Sequence, residues 1–99
     1  MLIVTGTMQV PPEGIEGMKA AAAEVAVATR QEKGCRVYAF WQSVEEPTTF
    51  RVYEEWDDVD CLKAHGKSAH IGVYRDKLAA IGAFGRDIKM FEPGPMTSL

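Results

Sequence analysis

Apolar and polar positions alternate along residues 2–10, with Leu2, Val4, Gly6, Met8 and Val10 on one side and Ile3, Thr5, Thr7 and Gln9 on the other. A period of two predicts a strand. Pro11, Pro12 and Glu13 stop it and place proline and an acid where a helix start accepts them. From Ile15 the period changes: Met18, Ala22, Val25, Ala26 and Thr29 recur at helical spacing in an alanine-rich run that Gly34 closes. Residues 35–44 and 48–56 are rich in aromatic and β-branched side chains, and the short Glu45-Glu46-Pro47 break between them predicts a hairpin. Asp57 and Asp58 cap a short helix over residues 59–65, which Gly66 interrupts. Ser68 starts another, with Ile71, Tyr74, Leu78 and Ile81 as its apolar stripe. Gly82 and Gly85 end it, residues 86–92 form a last strand, and residues 93–99 are a tail.

The order β-α-β-β-α-β predicts a single α+β domain over residues 1–99 with the ferredoxin-like fold. Right-handed crossovers then place both helices on one face of an antiparallel sheet. Within the second hairpin strand, Phe50, Val52, Glu54 and Trp56 share the more apolar face and are expected under the helices. Thr49, Arg51, Tyr53 and Glu55 share the other face, and Arg36, Tyr38, Phe40 and Gln42 of the neighbouring strand are expected beside them. Such an amphipathic, aromatic surface suits a specific interface, so a homodimer built on sheet faces is expected.

Composition narrows the partners. The formal net charge is −3 and no basic cluster occurs, which argues against a nucleic-acid surface. No apolar run approaches the ~20 residues of a membrane span, and residues 1–10 read as a strand rather than a secretory signal. Cys35 and Cys61 fit neither a CxxC motif nor a disulfide framework, so a reducing cytoplasm is the expected setting.

Glu54 is the candidate for chemistry, because a carboxylate among buried neighbours needs a partner or a raised pKa. His65 follows Val59 and Leu62 on the inward stripe of its helix and is the expected partner. A carboxylate and an imidazole meeting in an apolar cavity are competent for proton transfer; the same two groups could equally pin helix to sheet by a hydrogen bond. His70 opens the next helix. Trp41 and Trp56 line a flat pocket or are plain core. A metal site from Glu54, His65 and His70 is not expected, since the two histidines lie five apart with Gly66 between them. No phosphate loop, GxSxG or nucleotide fingerprint is present, so no cofactor is expected.

The stretch Phe50-Arg51-Val52-Tyr53-Glu54-Glu55-Trp56, followed by Leu62-Lys63-Ala64-His65 and Ser68-Ala69-His70-Ile71, resembles the antibiotic biosynthesis monooxygenase superfamily, in particular its quinol monooxygenase-like members. The resemblance implies a dimeric α+β barrel and a cofactor-independent oxygenase whose small aromatic substrate itself gives electrons to O2. It places Glu54, Trp56, His65 and His70 on recurring family positions. Trp41 stands where one polyketide-oxidising branch has histidine, and Val52 where that branch has asparagine. The haem-degrading branch needs an asparagine, and this chain has none; Arg75 stands near the position of that branch's histidine. The phospho-autoinducer-2 isomerase branch shares the Tyr-Glu and paired-His pattern. Three functions follow. One is a monooxygenase of quinol-like or polyketide-like phenols, with Glu54 and His65 catalytic and Trp41, Val52, Trp56, His70 and Tyr74 binding substrate. The second is an isomerase or tautomerase of a small carbonyl compound, and the third a non-catalytic ligand-binding dimer.

Overall fold

A computed structural model describes residues 1–99 in full. Its elements are β1 (Leu2–Gln9), a 3-10 turn (Pro12–Gly14), α1 (Ile15–Thr29), β2 (Cys35–Gln42), β3 (Thr49–Trp56), α2 (Val59–Gly66), α3 (Ala69–Ile81) and β4 (Phe84–Phe91). The strands form one antiparallel sheet in the order β2-β3-β1-β4. This is the ferredoxin-like α+β fold, with the helices over one sheet face. None of the helices is long and apolar enough to cross a membrane.

Local chemistry explains the boundaries. The Asp58 carboxylate accepts from the Cys61 N–H at 2.9 Å and caps α2; Ser68 caps α3 through the Ile71 N–H. Gly82 takes the left-handed conformation (φ 84°) that ends α3, where a side chain would be strained. The last strand begins two residues earlier than the sequence suggests, with Gly85 inside it. Gly6 is the close-approach glycine: a Cβ there would collide with the Asp87 carbonyl and Ile88 Cα, so β4 can lie against β1 only because the side chain is absent.

The core sits between sheet and helices. Trp56, Met18 and Val10 are its most deeply buried large side chains, with Ala21, Ala22, Val25 and Ala26 of α1 letting that helix approach closely. On β3 the expected parity holds, since Phe50, Val52, Glu54 and Trp56 are all buried.

On β2 it does not. Tyr38 stands opposite Glu54 and Phe40 opposite Val52, and cross-strand partners share a face. Tyr38 and Phe40 therefore belong to the helix side, and Val37, Ala39 and Trp41 to the outer side with Glu55, Tyr53 and Arg51. The expected interface set is corrected accordingly. The physical reason is register: an error of one residue reverses every side chain of a strand. The six-residue connection 43–48 fixes that register, and a β-bulge near Arg36 adds a residue at the other end. Arg36 itself reaches Asp57 at 2.6 Å.

Candidate functional site

A cavity of about 520 Å³ lies between the inner sheet face and the helices. Val52 and Glu54 of β3, Tyr38 and Phe40 of β2, His65 of α2 and Tyr74 of α3 form its walls. Exposed residues of β4, including Phe84, Arg86 and Met90, complete it on the solvent side. Most of the lining is aliphatic, with Tyr38, Phe40 and Tyr74 as its buried or half-buried aromatic rings, and three cations (Arg75, Arg86 and Lys89) stand against a single carboxylate, Glu54.

Glu54 is only 6% exposed and has no ion-pair partner. Its Oε1 accepts from Trp56 Nε1 at 2.9 Å, and its second oxygen has no protein hydrogen bond. Burial pushes its pKa up to about 7, against the downward pull of the Trp56 hydrogen bond and of Arg86, while the charge of Glu32 adds to the rise. Burial and the nearby Glu54 charge push the phenols of Tyr38 and Tyr74 well above the ordinary tyrosine value, so both stay neutral. The Tyr74 hydroxyl lies 3.4 Å from Met8 Sδ. The Tyr38 hydroxyl has no protein partner. Thr29 Oγ1 is the single sealed side-chain polar atom without a hydrogen bond, so the free Glu54 oxygen and the Tyr38 hydroxyl both keep access to the cavity.

His65 does not pair with Glu54. Its Nδ1 lies 2.7 Å from Oε2 of Glu32, a residue of the α1–β2 connection, and the same oxygen lies 2.7 Å from His70 Nε2. The His65 ring packs against both Tyr38 and Trp56, with centroids 5.2 and 5.0 Å away. The donor atoms of Glu32, His65 and His70 all lie within 4.8 Å of one another, and such a set has zinc-type chemistry. The spacing, however, is that of hydrogen bonds: two ligands on one tetrahedral zinc sit about 3.3 Å apart. As they stand, the three side chains are linked by two hydrogen bonds through Glu32 Oε2.

The residues named from sequence thus divide. Glu54, His65, Val52 and Tyr74 line the cavity. Trp56 lies beneath it, fully buried, and acts on it through its hydrogen bond to Glu54. Trp41 is on the outer sheet face, 63% exposed, and His70 stands behind His65 outside the cavity wall. Glu32, Tyr38, Phe40 and Arg86 went unrecognised. Tyr38 and Phe40 were legible in the hydrophobic pattern but placed on the wrong face; Glu32, in a polar turn, carries no local signal.

The fold and its acid-bearing apolar cavity define the class, a ferredoxin-like α+β domain with a pocket of small-molecule size. The profile of the antibiotic biosynthesis monooxygenase family matches residues 1–77, and the chain belongs to that family. It is 30% identical over 70 residues to YcnE of Bacillus subtilis (strain 168), provisionally named a monooxygenase; the match covers 71% of this chain and 74% of that one. A crystal structure from Deinococcus radiodurans, provisionally described as an antibiotic biosynthesis monooxygenase, superposes with a TM-score of 0.93 at 25% identity, covering 100% of this chain and 98% of the other. A conserved protein from Methanosarcina mazei Go1 shares the fold with a TM-score of 0.86 at 24% identity, over 94% of this chain and 92% of its own.

Proposed function

We propose that the cavity oxidises a small phenolic compound, quinol-like or polyketide-like, with O2 and without a bound cofactor, Glu54 serving as general base. The observation that supports this most is the buried, unpaired Glu54 carboxylate with its pKa near 7. Moving a proton from a phenol of pKa ~10 to an ordinary carboxylate costs about 8 kcal/mol; to a group near 7 it costs about 4. The electron-rich phenolate then reduces O2 in one-electron steps. Apolar walls hold the ring, and Arg86 and Arg75 favour its anionic form.

A second reading, proton transfer in an isomerase or tautomerase, has support in Tyr38. Its neutral hydroxyl, free toward the cavity, can donate to a carbonyl oxygen while Glu54 takes the α-proton. In either case the protein acts in a reducing, cytoplasmic setting as a homodimer paired through the outer sheet face around Trp41, Arg51 and Tyr53.

Oxygen uptake measured across a panel of quinols and polyketide-like phenols, with no added cofactor, tests the first reading. Uptake is expected with at least one phenol, and Glu54→Gln should lower its rate ~10²-fold or more. Uptake within a few-fold of normal in that variant would remove Glu54 from the chemistry. Isomerised product without oxygen uptake would favour the second reading.

A further inference from the structure

Oxidation of a phenol to a para-quinone by one O2 yields the quinone and one water, and it moves two different protons. The phenolic O–H proton leaves first, and Glu54 is placed to accept it. After the phenolate has given two electrons to O2 and a ring carbon–oxygen bond has formed, Glu54 returns that proton to the distal peroxide oxygen. The ring C–H proton must then leave. Its electron pair makes the second C=O, the O–O bond breaks, and the departing hydroxide collects the proton as water. That last step needs a second base in the cavity.

Resting on the phenol-oxidation reading, we infer that His65 is this second base and that Glu32 is its positioning residue, holding the ring as the Nδ1–H tautomer with Nε2 presented to the cavity. An ionised carboxylate only accepts hydrogen bonds, so the 2.7 Å contact from His65 Nδ1 to Glu32 Oε2 puts the hydrogen on Nδ1. In a neutral imidazole the lone pair is then on Nε2. That atom has no protein hydrogen bond, is not among the sealed polar atoms, and belongs to a residue of the cavity wall. The ring is buried and packs against Tyr38 and Trp56, which restrict its rotation. Glu32 is itself held from behind: the same oxygen accepts from His70 Nε2 at 2.7 Å. The break between α2 and α3 brings the two imidazoles to one carboxylate, since the Ser68 hydroxyl turns back onto the His65 carbonyl at 2.7 Å. When Nε2 takes a proton, the imidazolium forms against the Glu32 charge, which stabilises it.

Long-range 1H–15N correlation spectra of the 15N-labelled protein at about pH 8, where imidazole is mainly neutral, read the tautomer directly. His65 is expected to show a protonated Nδ1 and an unprotonated Nε2. Glu32→Ala should shift it toward the Nε2–H form, and His70→Ala should leave it in place. Adding 1-naphthol without oxygen should move the His65 Nε2 resonance and leave the His70 nitrogens nearly unmoved. An Nε2–H tautomer in the unaltered protein overturns the inference before any variant is made. So does an unchanged tautomer in folded Glu32→Ala, or a still Nε2 while Tyr38 and Phe40 resonances respond to naphthol. Failure of the underlying oxidation reading looks different: no phenol supports oxygen uptake although the His65 tautomer is as expected.

Discussion

The two faces of the β2–β3 hairpin place the same residue types in opposite environments. Trp56 looks inward and is fully buried, whereas Trp41 looks outward and is 63% exposed. Glu54 looks inward with only the Trp56 N–H for company; Glu55, its neighbour, looks outward and accepts from the Tyr53 hydroxyl at 2.7 Å. Tyr38 packs against His65 in the cavity wall, and Tyr53 lies on the far side of the sheet. One residue of displacement along a strand therefore separates a group that can do proton chemistry from one that is ordinary surface. What differs is desolvation: the helices cover the inner face, and burial is the largest cause of the Glu54 shift.

The comparison is most exposed to failure at the two tryptophans. Trp56→Ala should cost about 3–5 kcal/mol, because a fully buried ring leaves a cavity that the sheet cannot close. Denaturant melts check this, and a cost below ~1 kcal/mol would mean the inner face is far softer than its packing indicates.

Next in size is the pH dependence of stability at Glu54. A carboxylate whose pKa is raised on folding holds its proton more tightly in the folded state, so charging it opposes folding. The penalty is absent below the ordinary glutamate pKa and complete above about 7; for a shift of this size it is about 3 kcal/mol. Glu54→Gln keeps an oxygen for the Trp56 N–H and removes the charge. The variant should match the unaltered protein near pH 4 and exceed it increasingly as pH rises through about 7. Thermal melts across this range decide it, and parallel curves for the two proteins would show that Glu54 is not desolvated.

The smallest expected effect on folding is at Trp41. Trp41→Ala should change the stability of the isolated chain by no more than about 0.5 kcal/mol, as for other exposed positions. If the outer face pairs two copies, the same substitution should weaken the dimer in sedimentation at micromolar concentration. A dimer of undiminished affinity would move the interface elsewhere, and the exposed Phe84, Met90 and Phe91 of β4 would be the next surface to examine.

Much of this molecule follows from its sequence because much of it is local. Alternation in residues 2–10, helical spacing from Ile15, the Asp58 and Ser68 caps and the left-handed Gly82 each act within a few residues of themselves. They specify the element order, and right-handed crossover does the rest. The inward position of Glu54 was also legible, since Phe50, Val52 and Trp56 declare the buried side of β3. The face of β2 was not, because it depends on a register set by a six-residue connection at one end and a bulge at the other. Nor was the partner of His65. Glu32 lies 33 residues away in a turn without periodicity, and it meets His65 and His70 only once α1, α2 and α3 have packed over the sheet. Pattern along a chain records which side chains leave water; which of them then meet is decided by packing between elements that the chain itself does not place side by side.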